Sequence, residues 1–195
     1  SAEPLVEVFP WTEDDGAGQL VALIAPGSEV RAARLPSDVV FVLDVSGSMS
    51  GGKLDSAKKA LEACLTRLAP EDRFAVLKFS DAVEAFEPAL VPADPAHIGA
   101  AVKRVRALDT EGGTNLEGGA MQGLEIFQKD EAVGRSRLLL FLTDGQPSTG
   151  VTDEETIVKT VAGASRGRVA LHPVGIGEDV NTRLLDRIAA QGGGA

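Results

Sequence analysis

Side chains that support catalysis or disulfide cross-links are scarce in this sequence. The 195 residues include one cysteine, Cys64, and two histidines, His97 and His172. A single cysteine excludes a disulfide within the chain, and Cys64 lies on the apolar side of a helical stretch, which predicts a packed core thiol. Neither histidine lies in a motif with a serine nucleophile or at metal-ligand spacing. We therefore predict that the protein is not an enzyme.

Long apolar runs and an excess of basic residues are also missing. The chain has no apolar run of about 18 residues and no basic region before an apolar N-terminal stretch, so neither a membrane span nor a signal peptide is predicted. The 19 Lys and Arg against 29 Asp and Glu give a net charge of −10, which disfavours nucleic acid and anionic membranes as partners. We expect a soluble domain, monomeric in isolation, in an extracellular, periplasmic or cell-surface setting.

What the sequence does contain is an alternation of strand-like and helix-like segments. Residues 38–45 and 136–145 are apolar runs typical of strands buried on both faces. Further strands are predicted at 19–26, 73–80 and 168–177, a short edge-like strand at 82–88, and helices at 53–68, 97–108, 116–130, 153–163 and 180–194. This order predicts a doubly wound α/β fold with a mostly parallel central sheet and helices on both faces. Ligands of such folds bind beyond the carboxyl ends of the strands.

The stretch FVLDVSGSMSGGKL, residues 41–54, contains two overlapping patterns. Gly47 to Lys53 spells G-x-x-x-x-G-K, most of a phosphate-binding P-loop. A P-loop needs serine or threonine after the lysine to bind Mg²⁺, whereas Leu54 follows here. Nucleotide hydrolysis is therefore disfavoured, and Lys53 is predicted to be a solvated side chain at the start of a helix.

The second pattern, D-x-S-x-S, places Asp44, Ser46 and Ser48 at alternate positions. A calcium EF-hand also begins with alternate oxygen side chains, but it needs glycine at position 6 and glutamate at position 12, which here are Met49 and Asp55. A strand also precedes this loop, whereas a helix precedes an EF-hand loop. Carboxylate and hydroxyl oxygens nevertheless suit a hard divalent cation, so the pattern predicts a metal site of another kind.

Two later segments offer further oxygen ligands. GGTN, residues 112–115, places Thr114 on a glycine-rich loop just before a helix. LTDG, residues 142–145, places Asp144 at the end of a buried strand. A carboxylate buried at such a position needs a counter-charge, and a cation supplies one.

The motifs DVSGS, GGTN and LTDG, in this order, resemble the metal-ion-dependent adhesion site (MIDAS) of von Willebrand factor A (VWA) domains. The segments LPSDVVFVLDVSGSM and LAPEDRFAVLKFSDAV are most similar to the subgroup found in inter-alpha-trypsin inhibitor heavy chains and many bacterial proteins. The resemblance implies a divalent cation, Mg²⁺ first and Mn²⁺ or Ca²⁺ as alternatives. It implies the metal ligands Asp44, Ser46, Ser48, Thr114 and Asp144, and a ligand-binding rim of Gly47, Met49, Gly113, Asn115 and Gly145.

In such a site the cation keeps one position open for a Glu or Asp carboxylate of a partner protein, so the resemblance implies a metal-dependent protein-binding module. Two alternatives stay open: a scaffold VWA domain of a larger protein with a stabilising ion or none, and a metal-assisted hydrolase. We expect residues 35–195 to form the VWA domain and residues 1–34 to form an N-terminal arm or edge strand. The chain is expected to stop before the last strand that often closes this fold.

Overall fold

The computed structural model describes residues 5–12, 18–25, 35–130 and 132–194, the first two ranges by their backbone alone. The chain divides into two compact units, Ser1–Arg34 and Leu35–Ala195. In the first unit, β1 (Leu5–Thr12) pairs antiparallel with β2 (Gly18–Ala25). The predicted strand at 19–26 therefore forms, with β1 as its ladder partner.

The second unit is built on a six-stranded mixed sheet. Its strands are β3 (Ser37–Asp44), β4 (Arg73–Phe79), β5 (Val83–Ala85), β6 (Val91–Pro92), β7 (Ser136–Thr143) and β8 (Ala170–Gly175). The order is β5-β4-β3-β7-β8, and the short β6 pairs with β4. Strands β4, β3, β7 and β8 run parallel, whereas β5 and β6 are antiparallel additions at the β4 side. The predicted edge-like strand is β5.

The α-helices described in this unit are α1 (Lys53–Leu65), α2 (Pro95–Arg106), α3 (Leu116–Gln128), α4 (Glu154–Ser165) and α5 (Thr182–Gln191); the first four lie between strands, and α5 follows β8. Asp153 caps α4 as expected, because its side chain accepts a hydrogen bond from the Thr156 N–H at 2.8 Å. The predicted helices and strands are present, with ends that differ by a few residues. Within the described residues no helix is long and apolar enough to cross a membrane.

The central strand β3 contacts an apolar layer on each side of the sheet. Val40 and Val42 pack in one cluster with apolar residues of α3, α4 and α5, whereas Val39, Phe41 and Leu43 pack in a second cluster with residues of α1 and α2. Successive side chains of a strand point to opposite faces, so a strand covered on both faces must be apolar throughout. The fold is the predicted doubly wound α/β arrangement.

An ion-pair cluster lies where β3 begins. Asp38 is fully buried and accepts hydrogen bonds from Arg73 Nε at 2.9 Å and Nη2 at 2.7 Å, and from Arg135 Nε at 2.6 Å. The paired arginines compensate the cost of burying this carboxylate. Asp44, at the other end of the same strand, has a different environment.

Candidate metal centre

The candidate residues lie at the carboxyl ends of neighbouring parallel strands. Asp44 is the last residue of β3, and Asp144 directly follows β7. The β3–β7 register aligns Leu43 with Leu142, which brings the two ends to the same edge of the sheet. Both aspartates are fully buried. The topology thus brings together two acidic residues that are 100 positions apart in the sequence.

Asp44 is held by hydrogen bonds from Ser46 and Thr143 and by no ion pair within the described part of the chain. Its Oδ1 accepts from the Ser46 N–H at 2.8 Å, and its Oδ2 accepts from the Thr143 hydroxyl at 2.5 Å. Burial raises the pKa of Asp44, the hydrogen bonds from Ser46 and Thr143 act in the opposite direction, and the nearby Asp144 adds to the rise. A buried carboxylate without a cationic partner is an attractive position for a metal ion.

Thr143 is a residue of the candidate site that the sequence motifs did not single out. Besides donating to Asp44, its fully buried hydroxyl accepts a hydrogen bond from the Gly145 N–H at 2.9 Å. The side chain therefore connects one acidic residue to the turn that follows the other. In the sequence, the only indication of a role for Thr143 was its position next to Asp144 in LTDG. The contact with Asp44 depends on the parallel pairing of β3 with β7, which places the hydroxyl against that carboxylate.

The loop after β3 presents the two predicted serine hydroxyls to each other. Residues Gly47–Met49 form a single 3-10 turn, and Ser46 Oγ lies 3.0 Å from Ser48 Oγ. Ser46 is fully buried, whereas Gly47 and Ser48 are exposed. The loop therefore has a buried side, next to Asp44, and a side open to solvent.

The GGTN loop lies against the loop after β3. The Glu111 N–H donates to the Val45 carbonyl at 2.7 Å, and the Gly47 N–H donates to the Gly112 carbonyl at 3.1 Å. Thr114, only 2% exposed, donates its N–H to Ser148 Oγ at 2.9 Å. The Thr114 hydroxyl is one of the oxygens predicted to bind the metal ion, and the loop contacts bring its backbone next to the loop after β3.

Asp81, which follows β4, packs on the two glycines of the same loop. A Cβ atom at Gly113 would lie 2.7 Å from Asp81 Oδ1 and 2.5 Å from Thr149 Cγ2. Only glycine permits so close an approach at this position. The carboxylate of Asp81 therefore lies beside the backbone that carries Thr114, although the residue itself is exposed.

Lys53 does not behave as the solvated side chain that the sequence predicts. Its side chain is 19% exposed, and its Nζ lies 3.2 Å from Asp144 Oδ2 and 2.6 Å from Asp179 Oδ1. Hydrogen bonds to Asp179 and Asp144 raise the pKa of Lys53, so the ammonium form predominates at neutral pH. The other oxygen of Asp144 accepts from the Gln146 N–H at 3.2 Å.

The predicted rim residues lie in different environments. Gly47 is exposed, and Gly113 and Asn115 are partly buried, with Asn115 Oδ1 capping α3 through the Gly118 N–H at 3.1 Å. Gly145 is buried, has a φ of 73°, and lies against Leu185 of α5. Met49 differs from the expectation, because it is fully buried in the apolar cluster on the α1 side and is not accessible to a ligand.

The chemistry of the gathered oxygens fits a hard divalent cation. Two carboxylates and three hydroxyls lie on adjacent loops, and one carboxylate lacks a counter-ion within the described residues. The described part of the chain contains no cluster of three or more His, Cys, Asp or Glu side chains arranged to hold a metal. A cation at this edge would therefore depend on the serine and threonine hydroxyls as well as on Asp44 and Asp144.

Comparison with known proteins identifies the family. Residues 37–195 match the family model of the von Willebrand factor type A domain. The chain belongs to the VWA domain family. The match covers the whole six-stranded sheet and all five helices.

Curated relatives of this VWA domain include inter-alpha-trypsin inhibitor heavy chains. Heavy chain H1 of Sus scrofa is 40% identical over 166 residues, which are 83% of this chain and 18% of that protein. Heavy chain H4 of Bos taurus is 33% identical over 182 residues, which are 91% of this chain and 20% of that protein. The chain thus spans about a fifth of the length of the curated relatives it matches.

Solved structures support the same fold. A von Willebrand factor type A protein from Catenulispora acidiphila has a TM-score of 0.75 at 22% identity, covering 97% of this chain and 44% of that one. Proximal thread matrix protein 1 from the mussel byssus, solved with a zinc-occupied MIDAS motif, has a TM-score of 0.64 at 16% identity, covering 80% of this chain and 42% of that one. At these identities the likeness shows the fold alone.

Proposed function

We propose that this VWA domain is a metal-dependent protein-binding module and not an enzyme. A divalent cation is held by Asp44, Ser46, Ser48, Thr114 and Asp144, and it binds a Glu or Asp carboxylate of a partner protein. Mg²⁺ is the proposed ion, and Mn²⁺ or Ca²⁺ are alternatives. The observation that carries the proposal is Asp44, a fully buried carboxylate that no basic side chain within the described residues neutralises.

The arrangement of buried and exposed groups supports a role in binding. Asp44, Ser46 and Asp144 are fully buried, whereas Gly47 and Ser48 at the mouth of the loop are exposed. A partner can therefore approach the oxygen ligands from the solvent side. When bound, the ion supplies a positive charge that attracts and orients an anionic group. The protein's oxygens hold the ion, and Thr143 holds Asp44 in place by its hydrogen bond.

Other features of the chain support a binding role over a catalytic one. Neither histidine belongs to the site: His97 is bonded to Asp94 at 2.8 Å, and His172 is on β8. The curated relatives are named as heavy chains of inter-alpha-trypsin inhibitor, and an inhibitor of trypsin acts on a protein. We propose that this chain also recognises a protein. We further propose that the VWA domain spans residues 35–195, with residues 1–34 as a separate arm, and that the domain works outside the cytoplasm.

The first test is a cation titration of the isolated chain. Thermal unfolding is followed in EDTA and in increasing Mg²⁺, Mn²⁺ or Ca²⁺, for the wild type and for Asp44→Ala. An ion at ten times its Kd stabilises the native state by about 1.4 kcal/mol, which for a domain of this size raises the Tm by about 3 to 6 °C. A rise in the wild type that is absent in Asp44→Ala supports the site. No rise with any of the ions, even with added acetate, contradicts it.

The second test addresses the partner's carboxylate. Peptides are selected from a displayed library on the immobilised domain in Mg²⁺, and each binder is then measured in EDTA, on Asp44→Ala, and with its acidic residues changed to amides. The proposal predicts that binding is lost in all three conditions. Binders that persist in all three contradict carboxylate recognition. An ion that stabilises the domain without supporting any carboxylate-dependent binder would favour the scaffold alternative.

A further inference from the structure

Lys53 forms an ion pair with Asp144, one of the proposed metal ligands, and its position is electrostatically unusual. It is the first residue of α1, where the positive end of the helix dipole disfavours a cation. The side chain is nevertheless partly buried, with Nζ between Asp144 Oδ2 at 3.2 Å and Asp179 Oδ1 at 2.6 Å. Two carboxylates therefore hold the ammonium against the dipole.

The loop before α5 is shaped to accommodate the Lys53 side chain. Gly177 has a φ of 111°, and a Cβ atom there would lie 2.7 Å from Lys53 Cε and 3.1 Å from Cδ. The same loop is tied by two hydrogen bonds to the segment that follows β7, residues 144–146. The Asn181 N–H donates to the Asp144 carbonyl at 2.8 Å, and Gln146 Nε2 donates to the Asp179 carbonyl at 2.8 Å. The lysine is therefore placed by the loops that form the site.

The contact with Asp144 creates a competition. Asp144 is a proposed ligand of the divalent cation, and its Oδ2 already accepts a hydrogen bond from the Lys53 ammonium. A divalent ion on the same carboxylate would be a second, stronger positive charge close to the first. The ammonium is expected to give up Asp144 when the ion binds, whereas Asp179, which is more exposed, can still hold it.

We propose that Lys53 acts as an internal cation that neutralises Asp144 in the ion-free domain and thereby weakens the affinity of the site for a divalent ion, with Asp179 holding the ammonium when the ion is bound. This inference rests on the metal site of the proposed function. It assigns Lys53 an electrostatic effect on the ion affinity, and it requires no direct contact between Lys53 and the ion.

The test compares the Kd of Mg²⁺ and Mn²⁺, measured by isothermal titration calorimetry, across single substitutions. Lys53→Gln is expected to bind the ions at least tenfold more tightly and to be less stable than the wild type in EDTA. Lys53→Arg retains the charge and is expected to keep the wild-type affinity. Lys59→Gln is the matched control, because it removes the same charge from an exposed position on the same helix.

Asp179→Asn supplies a second, independent measurement with the opposite sign. Without Asp179 the ammonium has no second carboxylate in the ion-bound state, so the affinity for the ion is expected to fall several-fold. If Lys53→Gln binds the ion as tightly as the wild type or more weakly, the inference about Lys53 is overturned. In that case the proposed function still stands, provided that the wild type binds an ion that Asp44→Ala does not bind. Absence of ion binding in the wild type and in Lys53→Gln overturns both.

Discussion

Replacing Thr143 by valine tests how the site holds its central carboxylate. Valine has nearly the same shape as threonine but lacks the hydroxyl. The change removes the 2.5 Å hydrogen bond to Asp44 Oδ2 and leaves the Gly145 N–H without its 2.9 Å acceptor. Both bonds are inside the protein, since Thr143 and Asp44 are fully buried, so water cannot easily replace them.

The magnitude follows from these two losses. A hydrogen bond to a charged group contributes about 1.5 to 3 kcal/mol, and a buried donor left without an acceptor costs about 1 to 3 kcal/mol. We expect Thr143→Val to lower the free energy of unfolding in EDTA by about 3 kcal/mol. This value is near the lower end of the two costs added together, because the loop after β7 can rearrange around the lost hydroxyl. A residue that orients a metal ligand also affects metal affinity, so the Kd for Mg²⁺ should rise about 10- to 100-fold.

The measurement is urea unfolding in EDTA, together with a Mg²⁺ titration, for Thr143→Val and Thr143→Ser. Serine retains the hydroxyl and loses one buried methyl group, so its cost is about 1 kcal/mol and its Mg²⁺ affinity should stay near that of the wild type. If the valine and serine variants unfold at the same urea concentration and bind the ion equally, the hydroxyl has no role in holding Asp44.

Three further predictions concern stability. Asp38→Ala leaves two arginines without their buried partner and should cost about 3 kcal/mol in urea unfolding, while the ion-induced rise in Tm persists because Asp38 lies at the opposite end of β3. In EDTA, the free energy of unfolding of the wild type relative to that of Asp44→Asn should fall as the pH rises from about 4. The pKa of Asp44 is raised in the folded state, so the native protein releases this proton at a higher pH than the unfolded chain does. A difference that does not change with pH would contradict the argument that burial raises this pKa. Gly123→Ala should cost about 1 to 3 kcal/mol, since its Cβ would lie 2.9 Å from side chains of β3 and β7, whereas Gly163→Ala, with nothing within 4 Å, should be neutral or stabilising in the same thermal assay.

The fold was predictable because local patterns and the topology agree. Continuous apolar runs predicted β3 and β7 as doubly covered strands, and both lie at the centre of the sheet. Helix ends were less predictable: the pattern of α1 continues to residue 68, but the helix ends at Leu65 and the next residues form a turn. Apolar periodicity reports which residues face the core, and it does not report which backbone groups remain hydrogen-bonded at the end.

The site was predictable only in part, for a physical reason. The motifs locate the oxygen side chains by type and order, and parallel strands bring their ends to one edge. Pairings between distant loops depend on the three-dimensional packing. Three contacts join segments that are far apart in the sequence, so no local pattern predicts them. They are Thr143 with Asp44, Asp81 with Gly113, and Lys53 with Asp144. Met49 was misplaced for a similar reason, since a 3-10 turn directs it into the core.

The backbone of the loop after β3 favours the proposed metal site over a phosphate site. A P-loop binds phosphate through backbone N–H groups that are free to point at the ligand. Here the N–H groups of Gly47, Met49 and Ser50 already donate to the Gly112, Ser46 and Gly47 carbonyls at 3.1, 2.9 and 3.2 Å. The Ser46 N–H donates to the Asp44 carboxylate. The lysine of the pattern is paired with two aspartates and is not free for a phosphate. With four of its N–H groups already bonded and a buried carboxylate beside it, the loop favours a cation over a phosphate.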